Sequence, residues 1–92
     1  MATAEQNQQD ENLALVQVDR QMQFARVNRR AGQIDSAKRN VSSAREWFYI
    51  SRMFATAGTK DWDRWNAAYL RQIGLSDYAS LSVEPGNLIY PF

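Results

Sequence analysis

The 92-residue chain has no cysteine and no histidine, and only two prolines and four glycines. Without cysteine there is no disulfide and no thiolate metal site. Without histidine the commonest metal ligand and the usual general base near neutral pH are both missing. The first proline is Pro85, so nothing before it removes a helical donor. The glycines stand singly, too far apart to make a phosphate-cradling loop. No apolar run approaches the roughly 18 residues of a membrane span. The start, MATAEQNQQDEN, is polar and acidic, and reads as neither a secretory signal nor a transit peptide. The lack of cysteine fits a reducing compartment. A chain this short often needs a disulfide, a metal or a partner to hold its fold. A partner is the remaining choice.

What is present points to helix. Hydrophobic residues make up 45% of the chain and aromatics 12%, enough for a folded chain rather than a disordered one. From Asn12 to Ala57 the apolar residues recur at steps of three and four: Leu13, Val16, Phe24, Val27, Ala31, Ile34, Ala37, Val41, Ala44, Phe48 and Ala55. The series is interrupted at Arg20 and again near Ser51 and Arg52. Such spacing keeps one stripe on one face of an α-helix. The expected architecture is all-α. It comprises a polar arm over 1–11, a helical region over 12–74 and an extended tail over 75–92.

Gly32 leaves two readings of the long helix. Arg29 and Arg30 followed by Gly32 form a helix-stop signal, and Asp35 or Ser36 could cap a restart. That gives a hairpin of helices 12–31 and 36–57. Against it, the apolar phase continues from Val27 through Ala31 and Ile34 to Val41, and an interior glycine costs only about 1 kcal/mol. The phase favours one continuous or kinked helix, 46 residues and roughly 69 Å long. Its start is expected near Asp10 or Asn12, both good N-caps. Ser43–Glu46 matches a capping box but lies within the periodic run, so it reads as a chance match.

Trp47, Phe48, Tyr49, Ile50, Met53 and Phe54 surround the helix axis, which marks the densest packing point. Gly58 is then expected to end the helix in a sharp turn, with Thr59 capping a short second helix over 60–73. Trp62, Trp65, Tyr69 and Ile73 would face back onto residues 47–57, and Gly74 would stop that helix. Ser76 and Asp77 could start one more turn. Leu81 onward reads as extended, with a turn at Pro85-Gly86. An apolar end of Leu88, Ile89, Tyr90 and Phe92 needs cover, either from the aromatic cluster or from a neighbour.

Charge is unevenly placed. Residues 1–19 carry Glu5, Asp10, Glu11 and Asp19 and no base, a net −4. Residues 20–45 carry Arg20, Arg26, Arg29, Arg30, Lys38, Arg39 and Arg45 against Asp35 alone, a net +6. Solvated faces, pairing between protomers, and contact with phosphate are all compatible with this pattern. Lys38, Arg45 and Arg52 share a flank at seven-residue spacing. The basic residues do not all share a face, and no helix-turn-helix turn is evident. Trp62 and Trp65 could stack bases, but their helical spacing fits a core better. Asp61 and Asp63 are two apart on a helix and diverge, a poor acid–base pair. The chain is expected to have no enzyme activity and no cofactor or metal.

The Gln/Asn-rich start AEQNQQDEN, the helix QVDRQMQFARVNRRAGQ, the lack of Cys and His, and the apolar end together resemble small helical virion proteins of tailed bacteriophages. These are proteins of the head–tail junction or ejected internal proteins. The resemblance is one of composition, and it transfers no functional residue. It implies a structural subunit located in a virion or cytoplasm. The expected interface is Leu13, Val16, Phe24, Val27, Ile34 and Val41 on the helix with Leu88, Ile89, Tyr90 and Phe92 on the tail. The expected partners are further copies or other structural subunits. The alternative is a nucleic-acid binder using Arg26, Arg29, Arg30, Lys38, Arg39 and Arg45.

Overall fold

A computed structural model describes residues 2–75 and 80–88. The described residues are helical and contain no strand: α1 spans Ala4–Arg30, α2 Ile34–Ala55 and α3 Asp61–Ile73, followed by a single 3₁₀ turn at Pro85–Asn87.

Helix α1 begins well before Asn12. The Thr3 hydroxyl accepts the Gln6 N–H at 3.0 Å, and Glu5 sits in the first turn. A neutral cap followed by an acid satisfies orphan donors and suits the helix dipole. Residues 4–11 are therefore helical, and the start expected at Asp10 or Asn12 is corrected.

The long helix does not run through Gly32. The Gln33 N–H bonds the Asn28 carbonyl at 2.8 Å and the Gly32 N–H bonds the Arg29 carbonyl at 3.0 Å. This pair of bonds is the Schellman closure of a helix C-terminus. It needs a left-handed residue at Gly32, whose φ is +76°. Arg29 and Arg30 in the last turn complement the dipole. The stop signal thus prevails over the continuous apolar phase, and α1 and α2 pack as a hairpin. The molecule extends 44 × 22 × 19 Å, not the length of one 46-residue helix. Neither Asp35 nor Ser36 caps α2; the N-cap is Gln33, which makes no side-chain cap bond.

The core lies between the two arms of the hairpin. Val18, Met22 and Ala25 of α1 meet Ala37, Val41, Ala44 and Phe48 of α2. Small residues at Ala25, Ala37 and Ala44 let the helix axes approach, and Val18, Met22 and Val41 fill the space between. A polar ladder crosses the same seam. The Asn28 amide donates to the Asn40 side-chain oxygen at 2.7 Å, and the Asn40 amide donates to the Gln21 side-chain oxygen at 3.0 Å.

After α2 the chain turns at Gly58, with φ +79°. The Thr59 hydroxyl accepts the Asp61 N–H at 3.3 Å and so helps to start α3, with Lys60 at the N-cap position. Helix α3 folds back on α2. The Trp65 ring stacks on Tyr49 with centroids 6.1 Å apart and meets Phe48 edge-on at 6.1 Å. The guanidinium groups of Arg52 and Arg64 lie 5.4 and 4.9 Å from the Trp65 ring centre, within cation–π range. Leu81, Val83 and Leu88 are buried, and Val83 and Leu88 join the hairpin core. The turn expected from Ser76 and Asp77 lies outside the described residues.

Candidate protein-interaction surface

Helix α1 carries two apolar series. One is Ala14, Val18, Met22 and Ala25, which the hairpin buries. The other is Leu13, Val16, Phe24 and Val27, each between 49% and 65% exposed. At 100° per residue the two series lie roughly 150° apart around the helix. The stripe read from the sequence is therefore the outward one along α1. A large apolar stripe left in water over several turns is unusual for a stable isolated monomer.

In α2 the same stripe turns inward. Val41 is fully buried in the hairpin, and its expected role in an interface is corrected: the chain's own α1 covers it. The hairpin reverses direction at Gly32, so residues continuous in phase along one helix land on opposite sides of the fold. Ile34, at the start of α2, is exposed. On the tail, Leu88 is also corrected, since it is buried against the hairpin. Ile89, Tyr90 and Phe92 lie outside the described residues. Two further exposed apolar residues, Leu70 and Ile73, stand one turn apart on α3. Ile73 was expected to pack inward, and Leu70 carried no signal beyond its three-residue spacing from Ile73.

The basic residues separate into groups. Arg26, Arg29 and Arg30 line a cavity of about 140 Å³ with Pro85 and Leu88 at the end of α1. Two of them are already engaged within the chain. Arg26 donates from its guanidinium to the Leu88 carbonyl at 2.7 Å, and Arg29 lies 3.9 Å from the exposed Glu84 carboxylate. Lys38 faces the 81–84 segment beside Arg29. Arg45 lies away from these, beside Tyr49, Arg71 and Gln72. Arg39 is exposed on α2. The six basic residues singled out in the sequence thus form no continuous track.

Burial pushes the Glu46 carboxyl above its ordinary value. The indole N–H of Trp65 is buried without a hydrogen-bond partner among the described residues. No described helix is long and apolar enough to cross a membrane.

Comparison with protein-family models, with curated proteins and with solved structures found no match.

Proposed function

We propose that this protein is a non-enzymatic structural subunit that binds other protein surfaces, copies of itself or other subunits, through the outward face of α1. One observation carries the reading: Leu13, Val16, Phe24 and Val27 stand exposed on the face opposite the hairpin core. Fully burying a side chain of this size is worth about 1.5–3 kcal/mol, and each of the four still has about half of its surface to cover, which favours association. The compositional resemblance to small phage virion proteins suggests the assembly served, a tailed-phage particle. Mass measurement by light scattering across a concentration series tests the reading, together with peptide mass spectrometry of purified particles. The expected result is a species heavier than 10.6 kDa that is lost in the Val16→Asp, Phe24→Asp double variant. A chain that stays at 10.6 kDa at every concentration and is absent from particles overturns it.

A second reading, nucleic-acid binding, draws on the grouping of Arg26, Arg29 and Arg30 around one cavity. It predicts affinity for DNA or RNA that falls steeply with salt as counterions are released. Triple substitution of these arginines by alanine should then weaken binding to any sequence alike. No binding at about 50 mM salt rejects it.

A further inference from the structure

The outward face of α1 is symmetric in its spacing. Leu13 and Val27 lie seven residues either side of Arg20, and Val16 and Phe24 lie four either side. Arg20 is itself exposed on this face. Read from either end, the steps are three, four, four and three. Two copies of such a face can meet in antiparallel orientation about a two-fold axis at residue 20. Leu13 then lies level with Val27, Val16 with Phe24, and Arg20 with Arg20. A two-fold contact uses the same patch on both subunits, and this patch is complementary to its own reverse.

An in-register parallel pair would also bring the stripes together, and charge separates the two. In α1 every acid precedes every base: Glu5, Asp10, Glu11 and Asp19 come first, then Arg20, Arg26, Arg29 and Arg30. A parallel pair sets acid beside acid and base beside base. Arg26 and Arg29 turn inward to Leu88 and Glu84, so the charge that counts at this face is Arg30 at the basic end. The antiparallel pair carries it toward the acidic N-terminal half of the other helix, and it also opposes the helix dipoles. Arg20 interrupts the apolar stripe at the axis. A polar residue at one seam position fixes register at a cost in stability.

We propose that the protein forms an antiparallel homodimer through the outward face of α1, with its two-fold axis at Arg20. The proposal rests on the reading of this face as a protein-binding surface and names its occupant as a second copy. The contact is a single helix pair, below the size of a standard stable interface, so the dimer is concentration-dependent. Arg20 sets the register, and Arg20→Leu, which replaces two facing cations with an apolar pair, strengthens association while loosening register.

The chain has no cysteine, so introduced cysteines report proximity without background. Under mild oxidation, Leu13→Cys mixed with Val27→Cys should give a disulfide-linked dimer at least about ten times faster than either variant alone. Arg20→Cys should cross-link with itself. Light scattering should show a mass twice 10.6 kDa. A Leu13→Cys variant that cross-links with itself as readily as with Val27→Cys indicates a parallel pair. That result, or a larger closed oligomer, overturns this proposal and leaves the face as a protein-binding surface. A protein still monomeric at about 1 mM, with no cross-link in any combination, overturns it as well, and that monomer also counts against self-association under the broader reading.

Discussion

The side-chain amide of Gln72 donates to the Ser42 hydroxyl at 3.0 Å, and both residues are buried between α2 and α3. The bond fixes how the short third helix sits on the hairpin, in a place where neither group can turn to water instead. Ser42→Ala leaves the amide without this acceptor, which should cost about 1–3 kcal/mol. The double variant Ser42→Ala, Gln72→Leu removes the stranded amide too and should recover part of the loss. Urea unfolding of the two variants checks both; an equal or greater loss in the double variant would show that the amide is not what makes Ser42→Ala costly.

Two large side chains, two residues apart on α1, should behave oppositely. Met22 is almost wholly buried in the hairpin, whereas Phe24 is about half exposed. Met22→Ala should destabilise the monomer by about 2–5 kcal/mol through the cavity it leaves. Phe24→Ala should change monomer stability by no more than about 0.5 kcal/mol while weakening self-association. Denaturation at low concentration separates the two effects. A large loss at Phe24 under those conditions would place the wrong series in the core.

Gly32 holds φ +76° at the hairpin turn, and a methyl group there would meet no atom within 4 Å. The cost of Gly32→Ala is therefore conformational, about 1–2 kcal/mol for an L-residue in the left-handed region. Gly32→Asn should cost less, because asparagine tolerates that region. Chemical denaturation ranks the three chains as glycine, asparagine, alanine in falling stability. An alanine variant as stable as the parent would mean that the turn can close another way.

Glu46 gives a pH signature. Its carboxyl is raised by burial, so the native state holds the proton more tightly than the unfolded chain. Protonated Glu46 therefore contributes stability that is fully present below the ordinary Glu value of about 4.3 and is lost as pH rises through the higher native value. Glu46→Gln should accordingly stabilise the protein at pH 7, with the advantage shrinking as pH falls toward 4. Parallel urea titrations at the two pH values measure this. An advantage that is the same at both would assign the effect to something other than ionisation.

Much of the architecture was legible along the chain because its causes are local. Helical periodicity, the break at Gly58 and the return of Trp65 onto the aromatic segment all rest on spacing or turn chemistry within a few residues, whereas at Gly32 the local stop signal stands against an apolar phase that favours one continuous helix. The start of α1 was missed because Thr3, a good cap, stands before a polar segment that shows no apolar period. A cap and an acidic first turn are weaker signals than a stripe, yet they set where the helix begins.

Helix, the stripe of Leu13, Val16, Phe24 and Val27 on α1, and the change from acid to base at Arg20 are all present in the order of residues along the chain. Ala14, Val18, Met22 and Ala25 also recur at helical spacing, but the bulkier stripe masks them along the chain. Which of the two faces is buried depends on how the hairpin packs. Once the Schellman turn at Gly32 reverses the chain, α1 must meet Ala37, Val41, Ala44 and Phe48 at close range. The series with small residues at its ends allows that approach, whereas Phe24 and Leu13 would hold the helices apart. The bulkier stripe is left outside, where the candidate surface lies.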